Sequence, residues 1–525
     1  MRKRIGTWLM AALTTLTAGA QDIKIMVLAN PNVMAPELLI KEGSAFDQSS
    51  SKYPLLYRES SQIFEAITDT IHKYQPTLVL IPGDLTKSGE WLSHQRVVRV
   101  LEKLLEDGYP TLVIPGDQDY DNPTGVYYDG DTTTPAEGIS AEQFAELYKN
   151  FGYGNTSDRD PHTLSYVCEP IDGLVIFGID LHQTDGILEE ETQQWMFEHA
   201  DKAIEEGKQV VAMLHPNAME HFNKQSELSA GIVVQDWQQV GSAFVEHGIR
   251  LVFTGHQHVQ DVATYYTTEQ RTDSIIDVAT GSLALYPNPW RIIDVNKDLT
   301  AWRGWTGYMR ELPGIGDVQA VSRETFMIGF SSTAQQLIFD NWEKIKGILD
   351  DHQTAVKLVH LEDCDTPEEL SELVIKYFGD LLKEVIFAHL EGNEPRTGKT
   401  GDDLKKEFED AAWQLLTDQL SWYEYVNRTV YFLAVKELCE DVLYPGMYSI
   451  ISDENNYGTP KACLIDDLNP FIRLPRSEKR FDAVQDIRAS ETEDTPYYTL
   501  DGRCLPTPPT RKGIYIYQGK KHLRY

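Results

Sequence analysis

The sequence predicts a layered α/β domain followed by an additional, mainly helical C-terminal domain. Short apolar runs alternate with amphipathic helical patterns through the first half of the chain, which favours a sheet with buried central strands. Beyond about residue 325 the pattern becomes helical. With 525 residues and 41 % hydrophobic residues, the chain is long enough to bury a core in each of two or three domains.

The predicted α/β domain covers residues 21–310. Between its apolar runs, Ile63, Ile67 and Ile71 recur at helical spacing, as do similar residues further along. After residue 253, three further strand-like runs are expected to complete the sheets. The apolar runs lie at 23–28, 78–81, 112–114, 174–179, 210–214 and 251–253, and the later ones at 262–266, 275–279 and 290–295.

The rest of the chain is predicted to be a helical domain at 325–460 and an irregular tail with short strands at 461–525. A Gly/Pro segment at 312–316 indicates a linker before the helices. Leu370, Val374 and Phe378 form one apolar stripe, introduced by Thr366 as a cap with proline at the first helical position. We expect such stripes to be core, although a protein partner could also use this half.

The first twenty residues have the pattern of a secretory signal peptide. A basic start at residues 2–4 precedes an apolar stretch at 5–16 and a small-residue end at 18–20. The stretch is too short to span a membrane, and no cysteine follows it to accept a lipid anchor. The sequence therefore predicts a secreted or periplasmic protein without a membrane anchor.

Charge and cysteine content exclude some classes of function. The formal net charge of −34 repels nucleic acid and acidic lipid headgroups, so neither is an expected partner. Five cysteines are widely spaced without a CxxC pair, which argues against a zinc knot or a dense disulfide framework. Export permits one or two disulfides, and the odd count leaves one thiol over.

Five apolar runs end directly in potential metal ligands. Because the carboxyl ends of strands line the ligand crevice of an α/β sheet, these segments are expected to converge. Glycines before Asp84, Asp117 and His256 permit tight turns at the strand ends. The five segments are Asn30-Pro31-Asn32, Gly83-Asp84-Leu85-Thr86, Gly116-Asp117-Gln118-Asp119, His215-Pro216 and Gly255-His256-Gln257-His258.

This set of side chains predicts a divalent-metal site. Two carboxylates and three imidazoles suit zinc, iron or manganese, whereas calcium and magnesium prefer a mainly oxygen set. Each motif alone also fits an ordinary turn or a core histidine, so the hypothesis depends on their order. The predicted ligands are Asp84, Asp117, His215, His256 and His258.

The order of motifs resembles the calcineurin-like metallophosphoesterase family, whose pattern is DxH, GDxx, GNHD/E, a lone His and GHxH on an α/β sandwich. The likeness covers about residues 23–285. It implies that Asp84 bridges two metals and that His215, His256 and the residue at 117 complete one site. It also implies that residues 30 and 32 with His258 complete the other, and that residue 118 assists the leaving group.

The sequence departs from this family pattern at four places. Asn30 and Asn32 stand where Asp and His are expected, Asp117 replaces Asn, and Gln118 replaces His. The site of Asp84, Asp117, His215 and His256 keeps four ligands, so one metal per chain is expected to be well held. The other site has little charge and is expected to be weakly occupied, and Gln118 cannot serve as a general acid.

Two functions remain open from the sequence. One is an exported metal-dependent hydrolase of small phosphate esters, with Asp84, His215 and His256 as catalytic residues and with reduced activity. The other is a non-catalytic descendant, or pseudoenzyme, that keeps the fold and serves as a binding or scaffold protein. Loss at positions 30, 32 and 118 favours the second, and retention of the other ligands favours the first.

Overall fold

A computed structural model describes residues 23–453, residues 465–476 and the backbone of short strands within 497–524. Within the first range, the gaps are 155, 229–230, 270, 272, 362–363, 365, 393, 395–400, 422–424 and 443. The predicted signal peptide at 1–20 lies outside the described residues. Among the helices that the structure describes, none is both long and apolar enough to cross a membrane.

The strands and helices follow one another in chain order. The strands are β1 (Ile23–Val27), β2 (Leu39–Lys41), β3 (Leu78–Pro82), β4 (Thr111–Ile114), β5 (Val126–Asp129), β6 (Thr132–Pro135), β7 (Asp158–Arg159), β8 (Tyr166–Ile171), β9 (Leu174–Ile179), β10 (Gln209–Leu214), β11 (Leu251–Thr254), β12 (Asp261–Tyr266), β13 (Ser274–Ala279), β14 (Pro289–Val295), β15 (Ala301–Tyr308), β16 (Glu311–Leu312), β17 (Gly316–Asp317), β18 (Phe471–Arg473), β19 (Tyr497–Thr499), β20 (Cys504–Leu505), β21 (Gly513–Tyr517) and β22 (Lys520–Arg524). The helices are α1 (Ser44–Lys52), α2 (Tyr57–Tyr74), α3 (Trp91–Glu106), α4 (Ala141–Leu147), α5 (Glu190–Glu205), α6 (Gln225–Leu228), α7 (Trp237–Glu246), α8 (Val318–Asp340), α9 (Trp342–Asp351), α10 (Gln353–Leu358), α11 (Pro367–Glu391), α12 (Gly401–Gln419), α13 (Arg428–Val442) and α14 (Tyr444–Ser452).

Two large sheets form the centre of the fold. The first has the order β18-β15-β14-β1-β3-β4, and the second has the order β12-β13-β11-β10-β9-β8-β7. Strands β1, β3 and β4 are parallel, and so are β9, β10, β11 and β13. The predicted α/β architecture and the nine predicted apolar runs are therefore confirmed, with strand ends within two residues of the expected ones.

Alternate residues of the central strands face different layers. In β10, Val211 and Met213 join a core shared with the first sheet, whereas Val210, Ala212 and Leu214 pack with residues of α5 and α7. Because both faces of such a strand are covered, its sequence is continuously apolar. Helices α2 and α3 contribute to the same core as the first sheet, which makes the fold a layered α/β sandwich.

Helices dominate from residue 318 to 452, as the sequence predicted. Helix α11 begins with the predicted cap, where Thr366 Oγ1 accepts from the Glu369 amide and Pro367 occupies the first turn. Helix α8 begins seven residues before the expected boundary at 325 because Asp317 caps it, accepting from the Gln319 and Ala320 amides. The linker predicted at 312–316 forms the tight β16–β17 hairpin.

The segment after the helices returns to the first half of the chain. Strand β18 pairs with β15 at the edge of the first sheet, and the sequence did not predict this pairing for the tail. Strands β19 and β20 pair antiparallel, and the residues between them lie outside the described ones. Cys168 is a buried free thiol, and the structure does not describe the side chains of Cys439, Cys463 and Cys504.

Candidate metal centre

The predicted ligands meet at one edge of the sandwich. Residues after β1, β3 and β4 come from the first sheet, and residues after β10 and β11 come from the second. Since the strands within each group are parallel, their carboxyl ends point the same way. The side chains that the sequence placed at five separate strand ends are therefore neighbours in space.

Four predicted ligands form the centre of this cluster. Oxygen and nitrogen atoms of Asp84, His215 and His256 all lie within 4.8 Å of one another. His215 Nε2 lies 3.3 Å from Asp84 Oδ1 and 2.8 Å from His256 Nδ1. Asp117 Oδ2 lies 3.3 Å from His256 Nε2. Asp84 and His215 are buried, whereas the Asp117 side chain is 43 % exposed and leaves the cluster open on one side.

The orientation of His215 is fixed by the backbone of a neighbouring strand. Its Nδ1 lies 2.8 Å from the carbonyl oxygen of Pro82, an acceptor, so Nδ1 carries the proton and donates it. In that tautomer Nε2 carries the lone pair, which points at a carboxylate oxygen of Asp84. Two acceptors that face each other in this way fit the coordination sphere of a cation, and such a backbone bond is typical of metal-binding histidines.

Two glycines allow the strands to approach this closely. A Cβ on Gly83, whose φ is +85°, would lie 2.3 Å from His215 Nδ1. A Cβ on Gly116 would lie 2.3 Å from the Asp84 amide nitrogen and 2.4 Å from its Oδ1. Asp84 itself has a φ of 50°, a conformation that non-glycine residues rarely adopt and that often marks functional sites.

The carboxylates of the cluster differ in their affinity for protons. Burial and the nearby Asp117 carboxylate together raise the pKa of Asp84 to about 6, against the opposing effect of His256. Burial also acts to raise the pKa of Asp117, but the imidazoles of His256, His215 and His182 outweigh it and leave this pKa lowered. Asp117 is therefore ionised at neutral pH and supplies negative charge to the cluster.

The two histidines of the last motif are neutral at physiological pH. Burial lowers the pKa of His256, with Asp117 opposing the shift, and lowers that of His258 to about 3. Neutral imidazoles can act as metal ligands. Neutral His256 can donate only one proton, although both its nitrogens face acceptors, so a cation would resolve the conflict.

His258 lies beside the central cluster and not within it. It is close enough to His256 and His215 for both to lower its pKa, but it does not belong to the group of converging ligand atoms. Its Nδ1 is buried and has no hydrogen-bond partner among the described residues. His258 has a φ of 63°, so this residue shares the unusual backbone conformation of Asp84.

Asn30 and Asn32 lie where the resemblance places the second metal. Asn32 Nδ2 lies 3.4 Å from Asp84 Oδ2, and Asn30 Nδ2 donates to the Gly255 carbonyl at 3.2 Å. The Oδ1 atoms of both residues are buried and receive no hydrogen bond from any described residue. With His258 Nδ1, these oxygens make three buried polar atoms that have no hydrogen-bond partner among the described residues, and none of them carries a negative charge.

The candidates for a general acid are otherwise engaged. Gln118 Oε1 accepts from Asn122 Nδ2 at 3.1 Å, and the Gln118 backbone N–H donates to Asp84 Oδ1. Asp119 is fully buried and accepts from the Leu85, Thr86 and Gly116 amides and from the Thr86 hydroxyl. The Asp119 carboxylate therefore holds two strand-end loops together and is not available to protonate a leaving group.

Sequence reasoning missed two parts of this centre. The Pro82 carbonyl that orients His215 carries no signal of its own, because any residue has a carbonyl. The second is a contact with the helical region, in which Gln257 Nε2 lies 2.7 Å from His389 Nε2 near the end of α11. Nothing in the local sequence around residue 389 links it to a loop 132 residues away.

Comparison with known proteins finds a family match for the α/β part of the chain. Residues 57–260 match the family model of calcineurin-like phosphoesterases. These residues belong to the calcineurin-like phosphoesterase family. Its members are divalent-metal hydrolases, and the donor set of Asp84, Asp117, His215 and His256 fits one such ion. A search of curated proteins finds no match for the chain.

Several solved structures resemble this chain at low identity. A dimetal phosphatase from Danio rerio is 10 % identical, with coverage of 54 % of this chain and 95 % of that one and a TM-score of 0.38. A purple acid phosphatase from yellow lupin seeds is 10 % identical, with coverage of 55 % and 52 % and a TM-score of 0.36. A sulfate thiohydrolase from Thermus thermophilus is 14 % identical, with coverage of 61 % of each chain and a TM-score of 0.28.

Proposed function

We propose that this phosphoesterase chain hydrolyses a small phosphate ester with one firmly held zinc, iron or manganese ion. The observation that carries the proposal is the convergence of Asp84, His215 and His256 within 4.8 Å, with Asp117 beside them. Two carboxylates and two imidazoles match the ligand preferences of these metals. A cation between them explains why Asp84 Oδ1 and His215 Nε2 face each other at 3.3 Å in a buried site.

The proposed chemistry divides between the metal and the protein. A bound divalent ion supplies Lewis-acid polarisation of the phosphoryl group and activation of a water nucleophile. Asp84 and Asp117 supply negative charge that retains the ion, and the Pro82 carbonyl keeps His215 in the ligand tautomer. The exposed side of Asp117 leaves a route for substrate to reach the cluster.

We further propose that a second ion binds weakly and that activity is reduced. Asn30, Asn32 and His258 present buried acceptor atoms, but their neutral side chains do little to offset the cost of dehydrating a cation. Two-metal hydrolases use both ions to stabilise the attacking and leaving oxygens. Weak occupancy of the second position therefore predicts a slower reaction at ordinary metal concentrations.

The engagement of Gln118 and Asp119 predicts which substrates react. A positioned acid contributes ~10² to 10⁴ in rate when it is present. Since Gln118 and Asp119 cannot protonate the departing oxygen, esters with acidic leaving groups such as aryl phosphates should react much faster than alkyl phosphates. The predicted signal peptide supports the further proposal that the reaction takes place outside the cytoplasm.

A second candidate is a non-catalytic binding module that retains one metal. The engagement of Gln118 with Asn122 and of Asp119 with four donors favours it, because neither acid function remains. The contact of Gln257 with His389 would then connect the metal loop to the helical half, which serves as the partner surface.

Metal analysis combined with a leaving-group series tests the proposal. The mature chain is expected to hold about one equivalent of zinc, iron or manganese and to hydrolyse aryl phosphates with a steep dependence on leaving-group pKa. His215→Ala should lose both metal and activity, whereas His72→Ala, a partly exposed histidine paired with Asp107, should retain both. Metal without turnover of any ester would favour the binding module, and absence of metal after incubation with excess would exclude both candidates.

A further inference from the structure

A second group of metal-ligand side chains lies outside the phosphoesterase centre. Asp261 begins β12, Asp453 follows α14, and Asp467 lies in the segment before β18. Carboxylate oxygens of the three residues lie within 4.8 Å of one another. Asp261 and Asp467 are each 4 % exposed, so this is a buried group of carboxylates and not an acidic surface patch.

The positively charged neighbours of this group do not bind its three carboxylates alone. Arg291 donates to the Asp467 and Ala279 carbonyls and to Gln260 Oε1. The His221 ring lies between Asp261, at 3.3 Å, and Asp277, at 3.1 Å, so its charge is shared with a carboxylate outside the group. Glu394 adds a further buried carboxyl, 2.8 Å from His389 Nδ1. Buried charges without compensation are costly, so the group requires either protons or a cation.

A separate observation indicates where a cation would bind. Asp261 Oδ1 is fully buried and receives no hydrogen bond from any described residue. The other Asp261 oxygen already faces the two histidines, His221 and His389. Asp467 lies within hydrogen-bond reach of Asp261, and Asp453 completes the group, so three carboxyl groups share this buried position.

Residues from several elements of the fold hold these carboxylates in place. The Val262 amide donates to Asp467 Oδ1 at 2.9 Å, and the fully buried Arg291 donates from Nη1 to the Asp467 carbonyl at 2.5 Å. Gly392, at the end of α11, lies against this point, since a Cβ there would be 3.1 Å from Asp467 Cβ. Asp453 has a φ of 50°, which turns the chain at the end of α14.

We propose that Asp261, Asp453 and Asp467 bind a hard divalent cation of the calcium type, which fastens the end of the helical region to the phosphoesterase fold. Calcium takes oxygen ligands at ~2.3–2.6 Å in flexible geometry, so oxygens within 4.8 Å of one another fit around one ion. Asp453 is only partly buried and leaves room for water ligands. The all-oxygen set separates this site from the imidazole-rich phosphoesterase centre.

Calcium-dependent stability of the full chain tests this site. Calcium added to chelator-treated protein is expected to raise the unfolding temperature, and dialysis with labelled calcium should find one bound ion. Asp453→Asn should weaken calcium binding by about tenfold or more, because the ligand loses its charge. Asp466→Asn is the matched control. This adjacent exposed carboxylate accepts from the Leu468 and Asn469 amides of its own turn, so its substitution should leave calcium binding unchanged.

Three results would overturn the proposal. The first is no calcium binding by the wild-type chain at millimolar concentration, which does not depend on the folding of any variant. The second is an Asp453→Asn variant whose unfolding temperature rises at the same calcium concentrations as that of the wild-type chain. The third is loss of the calcium effect in His215→Ala, because that would place the ion at the phosphoesterase centre.

Discussion

His215 Nε2 and His256 Nδ1 face each other at 2.8 Å, although the two residues lie 41 positions apart at the ends of different strands. The Pro82 carbonyl selects the His215 tautomer that points a lone pair into this gap. The carboxylate of Asp84 lies on the same side, 3.3 Å from His215 Nε2. These side chains converge in the way that the proposed metal centre requires, and the proposal can be tested by substitution.

Asp117→Asn should weaken metal binding with little effect on the metal-free fold. The substitution removes a charge that interacts with His256, but the side chain is 43 % exposed and forms no buried network. We expect the metal dissociation constant to rise about tenfold, as measured by competition with a chelating dye. Asp121→Asn changes an exposed carboxylate four residues further along the same loop and should leave the constant unchanged. An equal effect in both variants would contradict a specific ligand role.

Gly83→Ala should disrupt the centre far more than Gly108→Ala. Both glycines have positive φ, +85° and +91°, so both substitutions carry a similar backbone cost of about 1 kcal/mol. Only at Gly83 does the new Cβ meet a ring atom, 2.3 Å from His215 Nδ1, whereas nothing lies within 4 Å at Gly108. Thermal unfolding and metal content should distinguish them, and equal metal content in the two variants would argue against close packing at His215.

Asn30→Asp combined with Asn32→His should create a second firm metal position. The added carboxylate and imidazole restore charge and donor atoms beside Asp84, so metal content is expected to rise from about one towards two equivalents per chain and kcat to increase. Without metal, the double variant should be less stable, because a carboxylate at position 30 cannot donate to the Gly255 carbonyl as the Asn30 amide does.

The single variant Asn32→His is the control for the double substitution. It leaves the bond from Asn30 to Gly255 intact and should therefore keep the metal-free stability closer to wild type. Metal content that stays at one equivalent in the double variant, even with excess metal, would show that charge alone does not limit the second position.

Because of His94, the free energy of unfolding should decrease in mild acid. Burial lowers its pKa to about 3 from an ordinary value of 6.5, with the ring held between the Tyr148 hydroxyl and the Asp119 carbonyl. Above pH 6.5 both folded and unfolded states are neutral at this site. As pH falls from 6.5 towards 3, only the unfolded state takes up the proton, so stability falls by up to about 1.4 kcal/mol per pH unit.

Denaturant unfolding between pH 7 and 4 measures this effect. The loss of stability with falling pH should be smaller in His94→Asn than in wild type, after its overall destabilisation is subtracted. His72→Asn changes a partly exposed histidine and should keep the wild-type pH dependence. A His94→Asn slope equal to that of wild type would contradict the assignment.

The sequence by itself determined the fold class and the identity of the candidate ligands. Continuous apolar runs mark strands buried on both faces, and glycines before Asp84 and His256 mark the turns after them. These are local signals, because hydrophobic period and turn chemistry act over a few residues. The same local signals located the capped helix at Thr366 and revealed the departures at Asn30, Asn32 and Gln118.

Only the tertiary structure decided how these residues interact. The pairing of β18 with β15, the selection of the His215 tautomer and the contact of Gln257 with His389 join segments far apart in the chain. The same holds for Asp261, Asp453 and Asp467, whose sequence surroundings predict no site. Such contacts depend on how sheets and helices pack in space, and spacing along the chain carries no record of that packing.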